Sequence, residues 1–396
     1  MKSMTEKRTV YLDYSATTPV KDEVLKEMIP WFSENYGNPS SIYSIGQNSK
    51  EALTLARQRV ANLIGADEKE IFFTSTGTEA DNWALVGVFE ALKDKGNHII
   101  TTNFEHHAIL HGCQYLEKRG ARVTYLPVNS QGLVDPKDVE AAITDKTILI
   151  SIMMVNNEIG TVQPIKEIAK IGKKHGVLLH TDAIQALGNI PIDVKDLGVD
   201  LLSMSSHKIY GPKGVGALYI RKGLRISNFM HGGGQESGKR PGTENLAGIV
   251  GFGKAAELSK DNFANHVEHV SKLRDYFLEQ VMKRIPKVDI NGSMEFHHPG
   301  NISLAFDFIE GEGILILLDQ KGIAVSTGSA CNSASLNPSH VLTAIGLPVE
   351  RVHGTIRFTI GDFTTQEDVD YVLEALVEVV EKLRSISSVN EKKGWS

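Results

Sequence analysis

Short apolar runs separated by helix-length amphipathic segments fill the first two thirds of the chain. Ile71–Thr74, His98–Thr102, Val123–Pro127, Thr147–Met153, Val177–His180, Leu201–Met204 and Ala217–Ile220 read as buried strands. Between them, Ser49–Ile64, Thr78–Lys95, Ala108–Arg119, Pro136–Ala142 and Ile165–His175 have the length and period of helices. Such alternation predicts an α/β domain around a mainly parallel sheet. In these sheets ligands sit beyond the carboxyl ends of the strands. Thr74–Thr78, Asn156–Glu158, Asp182 and His207–Lys208 all fall at such ends.

After about residue 255 the pattern changes. A helical period over Ala264–Ile285 precedes strands near Val288–Asn291 and Asn301–Phe306. A further helix, Gly311–Lys321, leads into Gly322–Val325 and a loop of small residues. Thr355–Ile360 reads as a strand and Gln366–Ser385 as a closing amphipathic helix. The expected organisation is a large α/β domain over 16–257 and a smaller α+β domain from 1–15 and 258–396. The smaller one carries the loop at about 326–337.

Composition narrows the class. A chain of 396 residues, 41% hydrophobic and 23% charged, is long enough for two globular domains. A net charge of −6 is too mild to predict a nucleic acid or a membrane surface as partner. No apolar run approaches the roughly 18 residues needed to span a bilayer, and residues 1–8 lack a signal-peptide core. Two cysteines build no disulfide framework, so a reducing, cytoplasmic setting is expected.

The candidate chemistry lies at the strand ends. Lys208 follows an apolar strand and His207, and precedes a Gly-Pro-Lys-Gly turn in which Lys213 competes for the same role. Asp182 closes another strand, with Gln185 one helical turn on. A lysine and an acid so placed suit pyridoxal phosphate: the lysine forms a Schiff base and the carboxylate keeps the pyridine nitrogen protonated. Read alone, Lys208 is a surface lysine and Asp182 a helix cap. Ser75-Thr76-Gly77-Thr78-Glu79 suits a phosphate cup at a helix start, with Ser205 and His207 as further donors. The alternative is a plain capped helix. His106, after a strand, is placed to stack on a ring and move protons. A metal reading of His106-His107 lacks a third ligand, and no metal site is expected. Cys331 sits among Ser, Thr, Gly, Ala and Asn, which favours an exposed thiol nucleophile, whereas Cys113 suits a buried structural thiol. Arg357 is a candidate clamp for a substrate carboxylate or, read alone, a surface arginine.

Taken together these motifs closely resemble cysteine desulfurases of the NifS/IscS type, which are pyridoxal-phosphate-dependent fold-type I enzymes. Tyr11–Pro19, Gly37–Ser41, Glu105–His107, Asn156–Gly160, His180–Gln185, Ser206–Gly214 and Gly232–Glu236 follow in that family's order. The resemblance implies roles. Lys208 would hold the cofactor and move protons, Asp182 pair with the pyridine nitrogen, Gln185 with the phenolate oxygen, and His106 stack on the ring. Gly77, Thr78, Ser205 and His207 would bind phosphate, and Asn157 and Arg357 the substrate carboxylate. Thr243 would reach the neighbouring subunit's phosphate, which implies a homodimer. Cys331 would take sulfur from L-cysteine, giving L-alanine and a persulfide. That sulfur would pass to acceptor proteins such as an iron–sulfur scaffold or a tRNA-thiolation enzyme. The cup reads Ser-Thr-Gly-Thr where Ser-Gly-Ala-Thr is commoner, and Gln235 stands where many relatives have histidine. Rival readings are another pyridoxal-phosphate reaction, which needs no Cys331, and a non-catalytic sulfur or iron carrier, which needs no Lys208.

Overall fold

A computed structural model describes residues 8–327 and 338–388. Its strands are β1 (Val10–Tyr11), β2 (Ile71–Thr74), β3 (His98–Thr102), β4 (Arg122–Leu126), β5 (Thr147–Ser151), β6 (Leu178–Asp182), β7 (Leu201–Ser205) and β8 (Gly216–Ile220). Among the described residues, β2 to β8 form one sheet in the order β2-β8-β7-β6-β5-β3-β4. The pairs β3–β4, β3–β5, β5–β6 and β6–β7 are parallel. β8 runs antiparallel to both β7 and β2. Its reversal follows from chain length: the 206–215 connection is too short for the crossover that a parallel return requires.

Alternate residues of each strand face opposite layers. Phe72, Ile99, Leu149, Leu201 and Leu218 meet Trp83, Leu85 and Ile109 from the helices Gly77–Leu92 and His107–Glu117. Phe73, Ile100, Ile150, Leu202 and Ala217 meet Leu53, Val60, Ile168 and Phe252 from Ser44–Leu63, Ile165–His175 and Leu246–Asp261. This double coverage explains the near-continuous apolar strands. Leu246–Asp261 is not legible as a helix because of its glycines. A Cβ on Gly253 would stand 2.6 Å from the Ala56 Cα, so glycine is what lets the two helices meet.

The remaining strands are β9 (Val288–Ile290), β10 (Asn301–Phe306), β11 (Ile323–Ala324), β12 (Ser326–Thr327) and β13 (Thr355–Thr359). Among the described residues they form an antiparallel sheet, β12-β13-β10-β9, and β1 adds parallel to β11. Leu12, Phe277, Leu304, Phe306, Phe358, Val372 and Leu376 make a second core with the helices Phe263–Arg284 and Gln366–Ile386. Residues 328–337, and with them Cys331, lie outside the described residues.

A polar clasp joins the two cores. Lys21 Nζ meets Asp362 Oδ2 at 2.5 Å, His266 Nδ1 pairs with Oδ1, and the Asp362 N–H donates to the Tyr210 hydroxyl at 2.7 Å. Burial would raise the Asp362 pKa, but the hydrogen bonds from His266 and Lys21 outweigh it and hold it down to about 2. A depressed carboxyl stabilises the fold above its unfolded pKa of about 3.9, and that stability is lost as pH falls toward 2. Asp362→Asn is therefore expected to flatten the fall in thermal midpoint between about pH 4 and pH 2. Thermal melts across that range check it; an unchanged slope contradicts it.

Candidate active site

The parallel pairing of β6 with β7 sets Asp182 opposite Ser203 in register. Three residues after β7, the turn Ser206–Lys208 brings the Lys208 side chain back to the same edge. Both line a cleft of about 540 Å³ at the carboxyl ends of the strands. The Lys208 ammonium donates to the carbonyls of Ser15 and Ala16 at 2.5 and 2.8 Å. Gln185 Nε2 donates to the Ser15 carbonyl at 2.9 Å. Asp182 is buried, and its Oδ1 accepts from the Ile184 N–H at 2.9 Å. Burial pushes its pKa up to about 6, while that hydrogen bond and the Lys208 charge oppose the rise. At neutral pH Asp182 is an anion. Lys213 also lines the cleft but is exposed at its rim.

His106 stands before the helix His107–Glu117 with its Nδ1 accepting from the Ala108 N–H at 3.1 Å. Burial first, and the Lys208 charge second, push its pKa down to about 4. The ring is neutral and, with Nδ1 accepting, carries its proton on Nε2. His207 lies in the same cleft, its pKa lowered to about 4 by burial and the Lys208 charge, with Nδ1 3.1 Å from Thr17 Oγ1.

Gly77 and Thr78 open the helix Gly77–Leu92 and face the cleft beside Ser205. Thr76 caps the helix by accepting from the Glu79 N–H at 3.0 Å. The N–H groups at this end are donors for an anion. A Cβ on Gly77 would stand 2.2 Å from Ile184 Cδ1. Ile184 therefore leaves room for glycine here but not for a further methyl group.

The small-domain strand β13 supplies Arg357, which is buried and not a surface residue. Its Nη1 donates to the Asn157 carbonyl at 2.8 Å and its Nη2 to Asp13 Oδ1 at 2.7 Å. Asn157 and Arg357 both line the cleft. Asp13 was legible only as part of the Tyr11–Pro19 motif; nothing in the pattern marks it as the partner of Arg357. Thr243 lies outside this cleft and is exposed. Its segment is held from within: Gln235 Oε1 accepts from the Gly242 N–H at 3.1 Å, and Arg240 clasps Glu79 at 2.8 and 3.1 Å. Gln235 therefore has a structural partner of its own. Cys113 is buried with its thiol pushed up to about 12 by burial, as a structural cysteine should be.

The donor set fits one group. It has a helix N-terminus for a phosphate, a buried anion for a ring nitrogen, a neutral imidazole and a lysine in one cleft. Residues 10–372 match the aminotransferase class-V family. Cysteine desulfurase IscS of Clostridium botulinum is 55% identical over 386 residues, 97% of each chain. The chain belongs to the aminotransferase class-V family, among its NifS/IscS-type cysteine desulfurases. Cysteine desulfurase IscS of Methanosarcina thermophila is likewise 55% identical, over 98% of this chain and 96% of its own. A solved NifS-like protein superposes with a TM-score of 0.90 at 40% identity, covering 95% of this chain and 100% of its own. A NifS-like protein from Rickettsia africae gives 0.85 at 32% identity, over 94% of this chain and 100% of its own. The family depends on pyridoxal phosphate, the group that the cleft fits.

The Gly77–Ile184 contact makes a paired prediction. Gly77→Ala is expected to weaken cofactor affinity by about tenfold, an overpacking cost of ~1–3 kcal/mol. Adding Ile184→Val, which removes the Cδ1 atom, is expected to recover most of it. Titration of the apoprotein with pyridoxal phosphate, followed by fluorescence, measures both; strictly additive effects contradict the contact.

Proposed function

We propose that this chain is a cysteine desulfurase that takes sulfur from L-cysteine onto Cys331 and releases L-alanine. The observation that carries the reading is the convergence of Lys208, Asp182, His106 and Arg357 on one cleft. The names of its relatives support the same activity.

Pyridoxal phosphate, when bound, supplies an electron sink for the charge left at the substrate Cα. Gly77, Thr78, Ser205 and His207 would hold its phosphate, Asp182 its ring nitrogen and Gln185 its phenolate oxygen. His106 would cover the ring. Arg357 offers a planar donor fork to the substrate carboxylate, with Asn157 beside it. Lys208 would hold the cofactor and is placed to take the substrate Cα proton. His106, lining the same cleft, would help to move the substrate thiol proton. The Cys331 thiolate then attacks the substrate sulfur. A sulfur–sulfur bond forms, the carbon–sulfur bond breaks, and its electron pair stays with the carbon skeleton. Protonation gives L-alanine and leaves a persulfide on Cys331 for transfer to an acceptor protein, such as an iron–sulfur scaffold or a tRNA-thiolation enzyme.

Two domains, 16–257 and 1–15 with 258–396, are supported by the two cores. A homodimer is supported by exposed apolar side chains, and the exposure of Thr243 leaves it free to reach a neighbouring subunit's phosphate. Ile29, Phe32, Tyr36, Ile42 and Tyr43 lie along one segment, and Ile42 is 94% exposed. Among the described residues no helix is long and apolar enough to cross a membrane. The cytoplasm suits a chain with two cysteines and no disulfide framework.

With L-cysteine and excess reductant, the wild type is expected to release alanine and Cys331→Ala, matched for cofactor content, to release none. Equal alanine from both would move the reaction to a lyase with direct sulfur release. Arg357→Gln is expected to raise KM at least about tenfold with a smaller change in kcat, since a buried charged hydrogen bond to the substrate carboxylate is lost. An unchanged KM would remove Arg357 from substrate binding.

A further inference from the structure

Beneath Asp182 lies a second carboxyl that the reaction above does not use. Asp81 sits one turn into the helix Gly77–Leu92, four residues after Gly77, and is completely buried. His180, two residues before Asp182 on β6, and Ser203, its register partner on β7, are also completely buried. His180 Nδ1 lies 2.8 Å from Ser151 Oγ, and Nε2 lies 3.0 Å from Ser203 Oγ and 3.7 Å from Asp81 Oδ1. Neither Asp81 oxygen makes a hydrogen bond of good geometry. The other acids that act on it are Asp182 and Glu105, both repelling an added negative charge.

An ionised carboxylate in that position would be desolvated, with the Ser203 hydroxyl as its one stabilising contact, without a cation, and beside two other acids. Such a charge is too costly to persist, and the group neutralises instead. His180 does not take the proton, because burial pushes its pKa down to about 3. Glu105 accepts from the Thr102 hydroxyl at 2.6 Å and the Met153 N–H at 3.0 Å, yet burial still pushes its pKa up to about 8.

We propose that Asp81 is a positioning residue, a neutral carboxylic acid packed under Asp182 that leaves Asp182 the anion available to the cofactor ring nitrogen. Were Asp81 charged, repulsion would favour protonation of Asp182 and weaken its pairing with the ring. The proposal rests on the reading that Asp182 faces that nitrogen.

Infrared spectroscopy of the holoenzyme at pH 7 tests it without measuring turnover. The difference spectrum, wild type minus Asp81→Asn, is expected to contain the carbonyl stretch of a protonated carboxyl; its absence would overturn the proposal. In the wild type alone, 13C-labelled aspartate is expected to shift a protonated-carboxyl band that persists at pH 7. A band lost by pH 7 would overturn the proposal even if the variant failed to fold. Asp81→Asn, a neutral group of the same shape, is expected to keep the pH midpoint of the cofactor's absorption. A move of about one unit or more would mean that Asp81 acts as an anion. Asp182→Asn tests the underlying reading separately and is expected to displace the cofactor band. An unchanged band there would overturn the role assigned to Asp81 even with the infrared result intact.

Discussion

The site depends on the parallel pairing of β6 with β7. That pairing puts a buried anion, Asp182, and the root of the Lys208 turn at one edge of the sheet. Neither charge would be tolerated there alone. Asp182 is raised toward neutrality by burial and held ionised by the Ile184 N–H and the Lys208 charge. Lys208 in turn leans on the carbonyls of the Ser15–Ala16 segment. Burial first, and the same charge second, keep His106 and His207 neutral. One lysine therefore adds to what burial does at two histidines and opposes it at Asp182.

The second constraint is the seam between the two cores. Arg357 belongs to the smaller sheet; its Nη2 donates to Asp13 of the same domain, while its Nη1 reaches across to the Asn157 carbonyl of the larger domain. A buried guanidinium needs such partners. The seam therefore aligns the carboxylate clamp with the cleft as a consequence of satisfying the charge. The Lys21–Asp362–His266 clasp and the Tyr210 hydroxyl hold the same seam on the other side of Lys208.

Much of this was legible along the chain, and the physical reason differs by element. The strands stood out because a doubly covered sheet demands unbroken apolar runs. Pro136–Ala142, Ile165–His175 and Asn301–Phe306 have the expected bounds. The helix Leu246–Asp261 was hidden, since Gly248, Gly251 and Gly253 resemble breakers until the neighbouring helix is seen. Lys208, Asp182 and His106 were legible because strand ends are where α/β sheets bind ligands. The burial of Arg357 was not legible, because it arises from partners 200 and 344 residues away. Asp81 was equally invisible: an aspartate in a helix reads as a solvent-facing residue until His180 and Ser203 are placed beneath it.

The most direct test of the account is to find which lysine carries the cofactor. The holoenzyme would be reduced with borohydride, digested and mapped by mass spectrometry. The account predicts the pyridoxyl label on Lys208, with Lys213 unmodified. A label on Lys213, or none on either lysine, would contradict the charge arrangement from which the site has been built.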